Sequence, residues 1–339
     1  MSLSHQPSFV TKNHSRLLRV TRSHPCPVCR HSSWCSYWED GRGAVCMRRQ
    51  SDRPARNGQG WLHFFDDASS IPTRPPLTRL RPQPVVADRA DVERRHVVYT
   101  ALLSALTLWP EHQQELMRRG LSPEEIERLQ YVSAPAEAEA YNVTRSLSLR
   151  YDLCGVAGFY QLQHTWRMVR TGPGFFVPYR NERGLIEGLQ LRRFPYAGKD
   201  KYLWFSSKDK PSGSSSGSPV HFARAAMLAS AEEVVITEGA LKADVTAYFL
   251  NSTVIAAAGV SNFGRDFAAR LRSIAPAMRT VYVAFDLDWQ SNETVKRALF
   301  RLTEELERAR LAVLLRAWPR GLGKGIDDYL LSVSKGRAA

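Results

Sequence analysis

The 339-residue chain is 43% hydrophobic, enough for two or three domains with cores of their own, and its formal charge is +14. That charge is concentrated: residues 1–60 hold ten Lys/Arg against three Asp/Glu and residues 141–210 hold twelve against five, which leaves the remainder balanced. No stretch reaches the roughly 18 apolar residues of a membrane span, and the polar, basic residues 1–20 lack the apolar segment of a signal peptide. Two basic regions beside an acidic cluster point to a polyanion passing a metal site.

In chain order, residues 1–20 read as a basic flexible arm. Residues 21–67 follow with Cys26-Pro27-Val28-Cys29, Cys35 and Cys46. Four bunched cysteines suit metal binding in a reducing cytoplasm rather than disulfides. Four thiolates fit tetrahedral Zn²⁺, with the CxxC as a tight knuckle. The second pair is wider than usual, so His24 and His31 stand as candidates to replace one cysteine. A module this small needs such a staple to fold. Around it lie Trp34, Tyr37, Trp38 and Trp61 among Arg30, Arg42, Arg48 and Arg49. Some of these aromatics must be core; the rest, Trp34 among them, suit stacking on unpaired bases while arginines such as Arg48 hold phosphates. Cys154 is expected to be a small buried hydrophobe.

Residues 68–87 read as a stiff proline-rich linker. Residues 88–134 turn helical: Val97, Val98, Ala101, Leu102, Ala105 and Leu108 recur at three- and four-residue spacing, and Ser122-Pro123-Glu124-Glu125 starts a further helix. Residues 135–228 are a mixed basic α+β segment, with strands at 174–179 and 188–192 joined by a turn at Asn181-Glu182-Arg183-Gly184. The Ser/Gly tract 211–218 is expected to be flexible, as a plain loop or as one folding over phosphates.

Residues 229–335 alternate strands at 233–237, 253–257, 280–286 and 311–316 with helices at 240–250, 264–274 and 293–309. That predicts a doubly wound parallel sheet with its ligand at the carboxyl ends of the strands. Glu238 and the pair Asp286 and Asp288 lie there. Strand side chains alternate, so the two aspartates share a face, and Glu238 meets them if the strands are neighbours. Such carboxylates suit a divalent cation held against phosphates. The run 321–325 lacks phosphate-loop spacing and precedes an acidic pair, Asp327-Asp328.

Taken together, Glu238-Gly239, Asp286-Leu287-Asp288 and Gly325-Ile326-Asp327-Asp328-Tyr329-Leu330 resemble the TOPRIM domain of DnaG-type bacterial primases. Upstream, Val177-Pro178-Tyr179-Arg180, Gly188-Leu189-Gln190-Leu191-Arg192 and Lys199-Asp200-Lys201-Tyr202-Leu203 are similar to the basic half of the same polymerase core. The match spans most of residues 22–332 and looks closest to primase-like proteins of phages, plasmids and other mobile elements. It implies a multidomain α+β and α/β protein: a zinc ribbon, a helical segment, a basic subdomain and a TOPRIM sheet. It implies catalytic Mg²⁺ or Mn²⁺ at Glu238, Asp286 and Asp288 with Asp327 and Asp328. It puts Arg192, Lys201 and Arg180 on the path of template and nucleoside triphosphate, and it makes single-stranded DNA the template. With no helicase motor in the chain, a separate replicative helicase is a candidate partner. The family often has an aspartate four residues after the glutamate; here stands Lys242, a candidate to meet a triphosphate, with Asp244 two residues on as the alternative metal ligand. The aspartate pair also lacks the glycine the family has between its acids. A TOPRIM nuclease, and a non-catalytic zinc/TOPRIM DNA-binding accessory protein, are the rival readings.

Overall fold

A computed structural model describes residues 16–55, 60–65, 87–196, 200–264 and 266–338. Most of the expected arm and nearly all of the expected linker lie outside the described residues. The chain forms two compact units, Met1–Pro82 and Gln83–Ala339. Among the described residues, no helix is long and apolar enough to cross a membrane.

The first unit is a four-stranded antiparallel sheet, β1 (Leu17–Arg19), β2 (Ser36–Trp38), β3 (Gly43–Cys46) and β4 (Trp61–Phe64), in sequential order. The end of the expected arm is therefore structured: Leu17 to Arg19 pair with Trp38 to Ser36.

The second unit opens with helices α1 (Val92–Ser104), α2 (Pro110–Arg118) and α3 (Pro123–Leu129), then strand β5 (Val132–Ser133) and helix α4 (Glu137–Ser148). The side chain of Asp91 caps α1, and Ser122 caps α3 ahead of Pro123. A small hairpin follows, β6 (Phe159–Leu162) with β7 (Thr165–Met168). The expected long hairpin is β8 (Gly174–Arg180) with β9 (Ile186–Arg193), and β10 (Tyr202–Trp204) extends it. These strands make an antiparallel sheet in the order β10-β9-β8-β5. Alternation along β8 sends Phe176 toward the α1 side and Phe175, Val177 and Tyr179 toward α2 and α3.

The Ser/Gly tract is not a free loop. Ser214 and Ser216 are buried, and the Ser214 hydroxyl donates to the Gly155 carbonyl at 2.6 Å. Small side chains are what let this tract pass through a packed interior. It leads into β11 (His221–Ala223), a strand absent from the sequence-based expectation.

The last third comprises β12 (Glu233–Glu238), α5 (Ala240–Leu250), β13 (Val254–Ala257), α6 (Phe267–Ile274), β14 (Thr280–Val283), α7 (Glu293–Arg308), β15 (Ala312–Leu315) and α8 (Ile326–Ala338). The sheet order is β11-β13-β12-β14-β15, parallel except for β11. One face packs Ile236, Ile255, Val281 and Val283 on Leu271, Leu299, Leu302 and Leu306 of α6 and α7. The other packs Val235, Val254 and Ala256 on Ala243 and Ala247 of α5 and on Ile326 of α8. Helix α5 also meets the hairpin sheet, where Leu241 and Val245 share a cluster with Phe175, Val177 and Tyr179. One helix thus fixes the two sheets relative to each other.

Candidate active site

Strand β12 leads to β13 on one side, while β14 leads to β15 on the other. The chain departs in opposite directions from β12 and β14, which are neighbours. This opens a crevice at their carboxyl ends, the place where α/β sheets receive ligands. Glu238 ends β12 and Asp286 follows β14, and the Asp286 N–H donates to Glu238 Oε1 at 3.2 Å. The two acidic stretches, 48 residues apart, therefore meet. Gly239 turns the chain from β12 into α5 at φ +80°, a conformation that side chains disfavour.

Asp327 and Asp328 reach the same cleft from the first turn of α8. Gly325 sits so close that a Cβ there would lie 2.4 Å from Asp327 Oδ1 and 3.2 Å from Asp286 Oδ1. Asp327 is only 6% exposed; its Oδ2 is 3.6 Å from Arg119 Nη1, while its Oδ1 is buried without a hydrogen-bond partner. Burial pushes its carboxyl above the ordinary aspartate value, with Lys242 and Arg119 opposing and Asp328 reinforcing that shift. The side chain of Asp288, on the short 3₁₀ turn Leu287–Gln290, lies outside the described residues.

Lys242 stands among these acids. Its Nζ donates to Asp286 Oδ1, and Lys324 Nζ lies 3.5 Å from Asp286 Oδ2. Burial alone would pull the Lys242 ammonium down, but Asp286, Asp327 and Glu238 outweigh it and hold the group above the ordinary lysine value. Asp244 does not replace it in the cleft. Two residues along a helix turn the side chain by about 200°, so Asp244 faces away. It is 2% exposed, accepting from Tyr131 Oη at 2.6 Å and from His221 Nε2 at 3.0 Å. The Arg180 N–H donates to His221 Nδ1, so the ring's proton sits on Nε2, facing Asp244.

The cleft, of about 380 Å³, is lined by Glu238, Lys242, Asp286, Asp327 and Asp328, and by Arg119, Lys201 and Tyr202 on the facing side. Lys201 is shifted down by burial and by the neighbouring Arg192 and Arg119. Two arginines are placed differently from expectation. Arg192 is 4% exposed: it donates to Glu115 Oε1 at 3.0 Å and lies over the rings of Tyr202 and Phe175. Arg180 donates to the Leu129 carbonyl and to Gln130 Oε1, on the other side of β8 from Tyr179, which lines the cleft. Strand alternation explains that separation. Arg119, by contrast, reaches the cleft from the end of α2 and was not singled out by sequence. Its guanidinium is held there by Glu115, whose Oε1 accepts from Nε at 3.0 Å.

In the first unit Cys26, Cys29, Cys35 and Cys46 bring their sulfurs within 4.8 Å of one another. A tetrahedron with Zn–S of about 2.3 Å has S–S edges of about 3.8 Å, and Cys29 and Cys35 stand at 3.7 Å. Backbone N–H groups of Met47 and Arg49 donate to the Cys35 and Cys46 sulfurs. Burial pushes the Cys35 thiol up to about 12, with Cys29 and Cys26 adding to it. Burial also opposes ionisation of Cys29, but the His31 backbone and the neighbouring thiols overcome it and leave this thiol lowered to about 7. Four sulfurs so placed cannot all ionise without a cation, so the set fits a tetrahedral thiophilic metal. His24 and His31 are exposed and are not drawn in. Arg48 is bound up with the cysteine loop, donating to the Ser33 carbonyl and to Cys35 Sγ. Trp34 is 77% exposed, whereas Trp38 stacks on Phe64.

Comparison with known proteins agrees with this architecture. A family model described as a domain of unknown function, DUF3854, matches residues 226–337. No curated protein matches the sequence. The Aquifex aeolicus primase, solved with its zinc-binding and RNA polymerase domains, superposes with a TM-score of 0.55 at 16% identity, over 74% of this chain and 60% of that one. The chain therefore spans less than two thirds of that protein's solved length. The RNA polymerase domain of Mycobacterium tuberculosis primase DnaG, in complex with double-stranded DNA bearing a 6-nucleotide overhang, gives 0.54 at 18% identity over 75% and 79% of the two chains. A DnaG primase catalytic domain bound to single-stranded DNA gives 0.53 at 17% identity over 73% and 76%. The fold is that of DnaG-type primase cores.

Proposed function

We propose that this chain is a DNA primase, a template-directed polymerase that starts short RNA strands on single-stranded DNA. One observation carries the reading: on a primase-core fold, Glu238 and Asp286 meet at the sheet's crevice, with Asp327 and Asp328 on one side and Arg119 and Lys201 on the other. In this reading residues 21–67 are a zinc ribbon, 88–134 a helical segment, 135–228 the basic half of the core and 229–335 a TOPRIM domain.

A divalent ion such as Mg²⁺ or Mn²⁺, held by Glu238, Asp286 and Asp327 with Asp288 and Asp328 beside them, would acidify the attacking 3′-hydroxyl and neutralise charge at the α-phosphate and the departing pyrophosphate. The protein's share is positioning and fixed charge. Arg119 and Lys201 face the acids across the cleft and would grip the triphosphate there. Lys242 would reach the same phosphates once it leaves Asp286. Tyr202 walls the pocket, and Arg192 holds Tyr202 from behind. In the first unit, zinc at the four cysteines would keep Trp34 presented to unpaired bases. A reducing cytoplasm suits those thiols, and a phage, plasmid or other mobile element that borrows a replicative helicase suits the primase.

Single-stranded DNA, ribonucleotides and Mg²⁺ or Mn²⁺ should yield short oligoribonucleotides. Asp286→Ala should abolish them and leave DNA binding within threefold. The ion pair between Lys242 and Asp286 favours one rival, a non-catalytic DNA-binding accessory protein; that protein would bind the DNA and make nothing. Cleavage of DNA without nucleotides would identify a nuclease.

A further inference from the structure

Among the described residues, the four cysteines are the only His, Cys, Asp and Glu side chains whose ligand atoms cluster as a metal site. Glu238, Asp286, Asp327 and Asp328 share one cleft without doing so. What lies between them is an ammonium. Lys242 donates to Asp286 Oδ1 from a side chain only 15% exposed, and Lys324 stands at the other oxygen. Both oxygens of the central aspartate thus face a positive charge supplied by the chain. Asp327 Oδ1, buried beside Gly325, has no hydrogen-bond partner.

We infer that Lys242 is a built-in cation of this acidic cleft. It takes one of the places where a divalent ion would sit, and a divalent ion enters by displacing it from Asp286. The reasoning is electrostatic. Carboxylates brought together out of water need positive charge close by, and a lysine on a rigid helix provides it at all times. A divalent ion must then compete with a tethered ammonium for Asp286, while Asp327 Oδ1 remains open to it. Lys242 becomes a positioning residue: bound to Asp286 until the ion arrives, it is then released toward phosphate. The inference rests on reading the cleft as a divalent-metal site, not on what product the protein makes.

Mn²⁺ binding to the zinc-loaded full chain, followed by the loss of free-ion electron paramagnetic resonance signal without nucleotide or DNA, tests it. Lys242→Met, which keeps the stem and removes the charge, should bind Mn²⁺ at least tenfold more tightly than wild type. Lys242→Arg should stay within threefold of wild type, and Asp327→Asn should bind at least tenfold more weakly. A second measurement needs no variant. Brief acetylation of the wild type with peptide mass mapping should show Lys242 several-fold more reactive with saturating Mn²⁺ than without added metal. Equal affinity of Lys242→Met and wild type, or Lys242 labelling indifferent to Mn²⁺, overturns the inference. Primer synthesis plays no part in these readings. A chain that passes them yet makes no oligoribonucleotide loses the polymerase reading alone, and one that makes primers but fails them loses only the role of Lys242.

Discussion

Glu115 is the residue on which the cationic wall of the cleft depends, and Glu115→Gln should show it. The carboxylate is 2% exposed at its side chain and accepts from Arg119 Nε at 3.0 Å and Arg192 Nη2 at 3.0 Å. Arg118 also binds it, but that side chain is 71% exposed, so solvent screens the pair and it contributes little. The substitution leaves Arg192, its side chain 5% exposed, as a charge without a counter-ion. Breaking a buried pair in this way costs about 3–5 kcal/mol, a large share of the roughly 5–15 kcal/mol that holds an ordinary domain. Urea unfolding should show a lower midpoint with an unchanged slope. The pH dependence has a definite sign. Burial works to raise the Glu115 carboxyl, but Arg118, Arg192 and Arg119 outweigh it and hold it below the ordinary value. A depressed carboxylate contributes stability above its unfolded pKa of about 4.3 and loses it as pH falls through the folded value. Wild type and Glu115→Gln should therefore differ most at neutral pH and converge in acid. The double variant Glu115→Gln/Arg192→Met should lose less than the sum of the two single changes. A cost under about 1 kcal/mol, or strict additivity, would show that Arg192 is not held by Glu115 and restore it as a candidate ligand of the proposed nucleotide path.

Other outcomes follow from the same geometry. Tyr131→Phe removes the 2.6 Å hydrogen bond to the buried Asp244 and should cost about 1.5–3 kcal/mol in urea unfolding while leaving Mn²⁺ affinity unchanged; a change in Mn²⁺ affinity would put Asp244 back among the metal ligands. Gly325→Ala drives a methyl to 2.4 Å from Asp327 Oδ1, so Mn²⁺ binding should fall at least tenfold with the far-ultraviolet circular dichroism unaltered. Cys29→Ser or a strong chelator should release one zinc per chain and expose the first unit to proteolysis, while the second unit keeps its thermal transition. Release of no zinc would sink the tetrahedral site.

The alternation of strand and helix after residue 229 was legible because parallel strands buried on both faces read as unbroken apolar runs, as in Val234-Val235-Ile236. The strand ends that deliver Glu238 and Asp286 were local signals; that β12 and β14 are neighbours, which lets the two acids meet, is a long-range pairing the sequence left open. The fate of the arginines was not legible. Arg192 and Lys201 both belong to the basic stretch 192–201, yet one is buried against Glu115 and the other opens on the cleft. That difference depends on α2, about 80 residues upstream, and no local pattern carries it. Arg119 was missed for the same reason, as one of two arginines before a helix-ending glycine. The Ser/Gly tract misled because composition suggests mobility, whereas here small side chains allow close packing around Ser207 and Gly155.

Helix α5 shows why a lysine in the acidic cleft is tolerated. Its two charged residues lie two positions apart and so face opposite sides, Lys242 toward Asp286 and Asp244 toward His221. Each charge is matched on its own side, and the apolar residues between, Leu241 and Val245, pack against the hairpin sheet. An acid at 242 without a bound metal would leave Glu238, Asp286, Asp327 and Asp328 facing a further carboxylate, in a place where Asp327 is already disfavoured as an anion. The fold would then depend on metal to hold together at this point. With Lys242 in place it does not, and on the proposed reading metal would serve the chemistry rather than the folding. Thermal unfolding of the zinc-loaded chain should therefore be nearly indifferent to Mg²⁺ in wild type and clearly raised by it in Lys242→Asp. If Mg²⁺ stabilises both equally, the lysine is not standing in for the ion.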